Sequence, residues 1–264
     1  YSPDLIAAKT MQHPLLLLLM ASLAWMTVTV CFSTDSFISL KYLLAKSWYS
    51  GAFVIAPLII LKNKQTIAKT ARILAGAMLL VTTIDLFRHY QTGFSFAGIN
   101  DAVAPFFRNH VNYSAMLVCM VPVLVAFFSG TKNRDTRWLI AVLIGIALTA
   151  LFFSYARGAW LALLTGAAAG WLIKRKWLIA AYIAALLISI SSLFWLKAND
   201  RYLLYAHDYQ TTIFHKDFRE HLVATYKLKD VSTAERFYRW IAGVRMIKDN
   251  WLTGYGPNTF YENY

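Results

Sequence analysis

Long runs of uncharged apolar residues are the feature that most constrains how this chain can fold. The run after Pro14, LLLLLMASLAWMTVTVCF, carries no charge and is about long enough to cross the hydrocarbon core of a bilayer. Similar runs recur along the chain, separated by short basic connections. Because lipid offers no hydrogen bonds to the backbone, such runs must be helices. The sequence therefore predicts an all-α, polytopic transmembrane helix bundle.

Composition and charge support this prediction. Apolar residues make up 58% of the chain and charged residues only 15%, whereas about half and about a quarter are typical of soluble domains. The formal net charge of +13 raises the possibility of a nucleic-acid partner. Most of the basic residues lie between apolar runs, however, and there the positive-inside rule accounts for them more simply. We expect membrane lipids, and no nucleic acid, among the partners.

The alternation of apolar runs and basic clusters predicts the topology. Seven spans are expected, near residues 14–32, 42–61, 73–87, 113–128, 138–153, 158–173 and 177–196. Basic clusters at 62–72, 132–137 and 174–176 fall in every second connection, which is the pattern of cytoplasmic loops. The N-terminal end of the first span is then cytoplasmic. Residues 1–196 form the transmembrane domain and residues 197–264 an extracytoplasmic loop.

The third predicted span carries an acidic residue close to its outer end. We expect Asp85 to lie at the membrane interface beside Arg88 and His89, in a structural role, because charges are common there. Residues 88–112 are predicted to form a long outer loop.

A helix with one apolar face is predicted in the outer loop. Ser232 and Glu235 have the spacing of a capping box, in which each side chain satisfies a backbone N–H at the helix start. Apolar residues then recur at three- and four-residue spacing: Phe237, Trp240, Ile241, Val244 and Ile247. The helix should end near Asn250, where Gly254, Gly256 and Pro257 force a turn.

Three arginines are candidates for holding an anion. Arg236 and Arg239 lie one turn apart on the predicted outer helix, and Arg157 lies in SYARG, the very short connection between the fifth and sixth spans. A guanidinium is always charged and can hold two phosphate oxygens at once. The alternatives are a solvated helix face for the pair and contact with lipid phosphates for Arg157.

Candidates for acid–base or metal chemistry are less specific. His110, His207, His215 and His221 could each act as a general base. None has metal-ligand spacing, and surface or interfacial histidines are the simpler interpretation. The acidic residues form no DxD pair, and no nucleotide-binding motif is present. We therefore expect neither a metal nor a cofactor.

Three segments in order carry a family resemblance. FFSYARGAWLALLTG resembles the SRGAWLAL signature of the bacterial O-antigen ligase and O-antigen polymerase family, with Ala156 in place of the usual serine. AERFYRWIAGVRMIKDNWLTGYGPNTF resembles its Arg-x-x-x-Trp segment and the glycine- and proline-rich turn that follows. NHVNYSAMLVCMVPVLVAFF resembles the asparagine-rich entry to a preceding span. Together the three segments cover about half of the chain.

The resemblance implies a metal-independent glycosyltransferase of lipopolysaccharide or polysaccharide biosynthesis in the bacterial inner membrane. Such enzymes move an oligosaccharide from undecaprenyl diphosphate to an acceptor on the periplasmic face. The acceptor is lipid A–core in ligases, a growing chain in polymerases, and a Ser or Thr hydroxyl in related protein glycosylases.

The resemblance also assigns roles to the arginines. Arg157 matches the arginine of the signature, and Arg236, four residues before Trp240, matches the arginine that opens the large periplasmic loop. Both would bind the diphosphate, and Arg236 would also act in catalysis. Arg239 has no motif match and is the weaker diphosphate ligand. The family's catalytic histidine would follow residue 264, so we expect the chain to be part of a longer protein.

Two other classes of protein remain open. A transporter or flippase of lipid-linked sugars would also be polytopic and basic, but paired broken helices, inverted repeats and charges within the spans would be expected. The sequence shows none of these. A non-catalytic membrane scaffold is the other alternative.

Overall fold

The computed structural model describes residues 12–61, 63–198 and 231–264, and in the last range the side chains from Glu235 onwards. These residues form helices and short connections, without a strand among them, which confirms the all-α class. The helices are α1 (Pro14–Val30), α2 (Ser36–Ser50, continued through Gly51–Ile55 and Ala56–Ile60), α3 (Lys64–Gln91), α4 (Ile99–Val103), α5 (His110–Gly130), α6 (Arg134–Phe153), α7 (Arg157–Lys174), α8 (Leu178–Lys197) and α9 (Val231–Asp249), followed by a 3₁₀ turn at Phe260–Glu262.

The helices have the length and composition of membrane spans. Five of them are long and apolar enough to cross a bilayer, namely the continuous α2 from Ser36 to Ile60, α3, α5, α6 and α8. Helix α1 is apolar but shorter, and α7 is not among the five. Each predicted span falls on one helix, so the chain is a multi-pass helical membrane protein. The number of seven crossings stays a prediction.

Helix α2 begins earlier than the predicted span and widens in its second half. The Asp35 side chain accepts a hydrogen bond from the Ile38 N–H at 2.9 Å and so caps the helix start. Further along, Gly51–Ile55 adopts π-helical geometry just before Pro57. Proline has no N–H to donate, and its ring crowds the preceding turn, which a wider turn relieves.

Helix α3 extends beyond the predicted span at both ends. It includes the basic residues Lys64, Lys69 and Arg72, which were predicted to lie in a loop, and it continues to Gln91. Lysine, arginine, glutamine and alanine favour helix, so the alternating KQTIAKTAR segment continues the span into the interface. The outer connection therefore begins at Thr92 and contains the short helix α4.

The described residues form two compact units. The first holds those within 1–67, 195–206 and 232–264, and the second those within 68–194 and 207–231. The core of the second unit is formed by α3, α4, α5 and α6. Its most buried members include Val103, Leu117 and Ala147, each 0% exposed. The small alanine at position 147 allows α6 to approach α5 closely.

In the first unit the turn after α9 docks on the α1–α2 connection. The Thr34 N–H donates to the Tyr255 carbonyl oxygen at 3.0 Å. The Ser39 hydroxyl donates to the Pro257 carbonyl oxygen at 2.8 Å. Gly256, with φ +101°, lies so close that a Cβ there would be 2.8 Å from the Cα of Ser33. The glycine is required both by its backbone conformation and by this close approach.

This contact predicts different effects of two alanine substitutions in the same turn. Gly256→Ala should lower the free energy of unfolding by about 3 kcal/mol, through a left-handed alanine and a clash with the Ser33 backbone. Gly254→Ala should cost only about 1 kcal/mol. Gly254 also has a positive φ, +64°, but nothing lies within 4 Å of the position that an alanine methyl group would take. Thermal unfolding in detergent measures the difference, and equal effects would contradict the docking.

Candidate functional site

The connection between α6 and α7 places Arg157 at the first position of α7. Tyr155 adopts a left-handed conformation with φ 56°, which turns the chain sharply between the two helices. The Ser154 hydroxyl donates to the Leu151 carbonyl oxygen at 2.7 Å. Ala156, at the N-cap position, offers no side-chain cap where the family signature has serine.

A cluster of aromatic side chains supports this connection from the outer loop. The His89 cluster consists of His89, Phe94, Phe153 and Tyr155. The rings of Phe94 and Phe153 are stacked with centroids 4.1 Å apart, and the His89 ring meets Phe94 edge-on at 5.2 Å. The Tyr155 hydroxyl donates to the Phe94 carbonyl oxygen at 2.6 Å. Burial raises the pKa of Tyr155, so its phenol remains a donor at neutral pH.

Two side chains at the end of α3 form hydrogen bonds to the connection between α3 and α5. Arg88 donates to the carbonyl oxygens of Ala104 and, at 2.9 Å, Asp101. The His89 ring nitrogen Nε2 lies 2.9 Å from the Ser95 carbonyl oxygen. Arg88 thereby satisfies two backbone carbonyls of the connection, whereas the Ser95 carbonyl oxygen also accepts from the Gly98 N–H at 3.2 Å.

Asp85 is buried inside the protein, which was not predicted from the sequence, and its place at the membrane interface stays a prediction. The residue is buried, with 2% of its surface exposed, and neither carboxylate oxygen has a hydrogen-bond partner among the described residues. The Tyr113 hydroxyl of α5, also 2% exposed, likewise has no hydrogen bond of ordinary geometry there. Thr82, Asp85 and His89 lie on one stripe of α3 that turns into the second unit. This three- and four-residue spacing was the sequence signal for burial.

The two arginines of α9 have different surroundings. Arg239 forms an ion pair with Glu235, with an Nη2–Oε2 distance of 2.8 Å, and its guanidinium lies 5.7 Å from the centre of the Tyr261 ring. Arg236 is exposed, and within the described ranges it forms no hydrogen bond and no ion pair. The predicted capping box involves the Ser232 side chain, which lies outside the described residues.

The apolar stripe of α9 is only partly buried. Ile241, 3% exposed, packs against Leu196 at the end of α8, with Phe237 and Tyr238 beside them. Trp240 and Ile247 remain 49% and 64% exposed. The contact nonetheless fixes the helix that carries Arg236 at the end of α8, within the first unit.

A basic group that was not predicted from the sequence adjoins this contact. Lys197 at the end of α8 interacts electrostatically with Lys248 and Arg245 of α9. Lys197 is more than 40 positions before the other two in the sequence, so only the packing of α9 on α8 reveals the cluster. Like charges placed close together repel one another unless an anion or water compensates them.

The predicted site residues divide between the two units. Arg236 and Arg239 share α9 in the first unit, and Arg157 belongs to the second. Of the candidate histidines, only His110 lies within the described ranges. Its Nδ1 is 2.8 Å from Asn100 Oδ1. The remaining three, His207, His215 and His221, lie outside the described residues.

The described part of the chain contains no group of three or more histidine, cysteine, aspartate or glutamate side chains that could hold a metal ion. The metal independence of the activity stays a prediction. The Glu235 carboxylate, on the same helix as Arg236 and Arg239, is engaged by Arg239.

The helices show that the protein belongs to the class of multi-pass helical membrane proteins. The candidate arginines lie near the ends of apolar helices or on α9. Residues 144–264 match the family model described as O-Antigen ligase. The match covers a little under half of the chain and confirms the resemblance found in the sequence. It includes Arg157, Arg236 and Arg239. Comparisons with curated proteins and with solved structures gave no significant match.

The support given by Tyr155 can be tested by removing one oxygen atom. Tyr155→Phe keeps the ring in the His89 cluster but loses the bond to the Phe94 carbonyl, so we expect a loss of about 1 kcal/mol in the free energy of unfolding. Tyr182→Phe is the matched control, because Tyr182 is 68% exposed on α8. Thermal unfolding of both variants in detergent checks this, and equal melting temperatures would contradict it.

Proposed function

We propose that the chain belongs to a glycosyltransferase that moves an oligosaccharide from undecaprenyl diphosphate to an acceptor hydroxyl. The family to which residues 144–264 belong is associated with O-antigen ligase or polymerase activity. The acceptor would be lipid A–core, a growing polysaccharide or a protein Ser or Thr. The reaction would take place on the periplasmic face of the bacterial inner membrane.

The observation that carries this proposal is the contrast between the two arginines of α9. Arg236 is exposed on a helix fixed by Ile241 and Leu196, and the described residues offer it no ion pair. Arg239, three residues later, is engaged by Glu235 at 2.8 Å. A diphosphate bearing two or more negative charges would find Arg236 available, whereas it would have to displace a carboxylate from Arg239.

Contacts within the first unit support an arrangement with the outer helix and the α1–α2 connection on one face of the membrane. Thr34 and Tyr255 share a hydrogen bond of 3.0 Å, so an even number of crossings must separate them. All five helices long enough to span lie between them, and five is odd. Helix α7, with 18 residues, is the remaining apolar helix of that length between them in the described chain, and we propose that it supplies the sixth crossing.

A contact within the second unit supports the placement of Arg157 on the same face of the membrane as Phe94. Two spans, α5 and α6, separate Phe94 from Tyr155, and the Tyr155 hydroxyl reaches the Phe94 carbonyl oxygen at 2.6 Å. Arg157 follows two residues later. The basic clusters at 132–137 and 174–176 would then lie on the opposite, cytoplasmic face, as the positive-inside rule requires.

The proposed chemistry is a displacement at the anomeric carbon of the donor. The acceptor oxygen forms the new bond while the bond to the diphosphate oxygen breaks, and undecaprenyl diphosphate leaves with the bonding electron pair. Negative charge grows on the phosphate oxygens, and guanidinium groups fixed beforehand stabilise that charge more in the transition state than in the ground state. A base takes the acceptor proton.

Alanine substitution of the two arginines should separate their roles in the complete protein. Arg236→Ala should lower kcat for glycan transfer by about 10²- to 10³-fold, the range expected when one group that stabilises developing negative charge is removed. Arg239→Ala, as the matched control on the same helix, should lower kcat less than about 5-fold, because it removes a surface ion pair. Initial rates with an undecaprenyl-diphosphate-linked glycan measure both values.

Unchanged transfer by Arg236→Ala would contradict the role of this residue. A drop of equal size in both variants would show that α9 contributes only a diffuse positive charge. The melting temperatures of both variants should stay within a few degrees of the parent, since Arg236 is exposed and Arg239 is only partly buried.

One observation favours the alternative of a transporter or flippase of lipid-linked sugars. The buried carboxylate of Asp85 lies within the span α3 without a hydrogen bond from the described residues, and ionisable groups in such positions commonly mark transport pathways. Transfer of glycan in detergent, where no membrane separates two faces, supports the transferase. Movement of the donor across vesicle membranes without transfer supports the transporter.

A further inference from the structure

A cavity of about 300 Å³ lies beside the connection between α5 and α6, at the end of the second unit remote from Tyr155. Phe128 of α5 and four residues of α6 line it: Arg134, Arg137, Trp138 and Ala141. Its volume is at the lower limit of ordinary ligand sites. From this geometry we infer that the cavity is a binding site for the headgroup of an anionic phospholipid.

The charge of the cavity is uncompensated. Arg134 and Arg137 are both exposed, and within the described ranges neither forms a hydrogen bond or an ion pair through its side chain. Asp135, between them in the sequence, makes no salt bridge to either arginine in the described part of the chain. Two guanidinium groups therefore face the cavity with their donors available to phosphate oxygens.

The aromatic residues of the cavity favour a lipid headgroup over a free anion as its ligand. The Arg137 guanidinium lies 4.5 Å from the centre of the Phe128 ring, which holds it over an apolar surface. Trp138 is 65% exposed one residue further on, at the fifth position of α6. Tryptophan at this level is typical of the membrane interface, where its ring contacts the glycerol and upper acyl region. Free phosphate would use the arginines but not these rings.

The depth of the cavity agrees with this assignment. Helices α5 and α6 are joined by only three residues, 131–133, so the last turn of α5 and the first turn of α6 lie at the same membrane surface. Basic pockets between spans at this level bind the headgroups of anionic lipids. This site is independent of the proposed transferase chemistry and uses none of its residues.

The test is a titration of the purified protein in detergent with phosphatidylglycerol or phosphatidylcholine, followed by native mass spectrometry. Phosphatidylglycerol should bind the parent more tightly than phosphatidylcholine. Each guanidinium removed should weaken phosphatidylglycerol binding by about 5-fold, so Arg134→Gln with Arg137→Gln should weaken it by about 25-fold. Replacement of both by lysine should retain most of the affinity.

The matched control is Arg175→Gln. Like Arg137, Arg175 lies over an aromatic ring, 5.8 Å from the centre of the Trp171 ring, but it does not line the cavity. Binding of phosphatidylglycerol should change less than about 2-fold in this variant. If the double glutamine variant melts at a lower temperature than the parent, the single Arg137→Gln variant gives the measurement, with an expected loss of about 5-fold.

Three results would overturn the inference. Equal affinity for the two lipids would exclude recognition of the negative headgroup. An equal loss in Arg175→Gln and in the cavity variants would mean that the positive charge acts diffusely. Displacement of phosphatidylglycerol by inorganic phosphate at equal concentration would assign the cavity to a free anion.

Discussion

The close approach of Gly256 to Ser33 is the contact on which the arrangement of the first unit depends. Residues more than 200 positions apart meet there, and only a glycine allows the backbones to come so near. Two backbone carbonyls of the turn, those of Tyr255 and Pro257, are satisfied by Thr34 and Ser39. The turn therefore fixes the C-terminal end of α9 at one end of the α1–α2 hairpin, and with it the helix that carries Arg236.

In the second unit, side chains rather than a close backbone contact hold the connection between α3 and α5. This connection joins two apolar helices long enough to span a membrane, and backbone carbonyls left unpaired beside such spans are costly. Arg88, His89 and Tyr155 supply hydrogen bonds to its carbonyl oxygens, and the rings of Phe94 and Phe153 stack on each other. The start of α7, where Arg157 lies, is thus held by side chains from three parts of the chain. The role proposed for Arg157 requires such a fixed support, because stabilisation of a transition state depends on groups positioned in advance.

Much of this architecture could be predicted from sequence, because length and hydropathy suffice to locate spans in a bilayer. All seven predicted spans fall on helices, and the family resemblance at SYARG and around Arg236 is confirmed by the match to residues 144–264. The burial of Asp85 was missed because a charge near the end of a span usually lies at the interface. The cluster of Lys197, Arg245 and Lys248 depends on tertiary packing of α9 on α8, which no local pattern encodes. The basic start of α3 was assigned to a loop on charge alone, although its residues favour helix.

The central claim is that the α1–α2 connection, the outer end of α3 and the end of α9 lie on one face of the membrane. Single cysteines in a background without Cys31 and Cys119, labelled in intact cells with a membrane-impermeant maleimide, test it most directly. Thr34→Cys, Gln91→Cys and Asp249→Cys should all react, and Lys132→Cys and Arg175→Cys should react only after permeabilisation. Reaction of Thr34→Cys and Asp249→Cys from opposite faces would contradict the account.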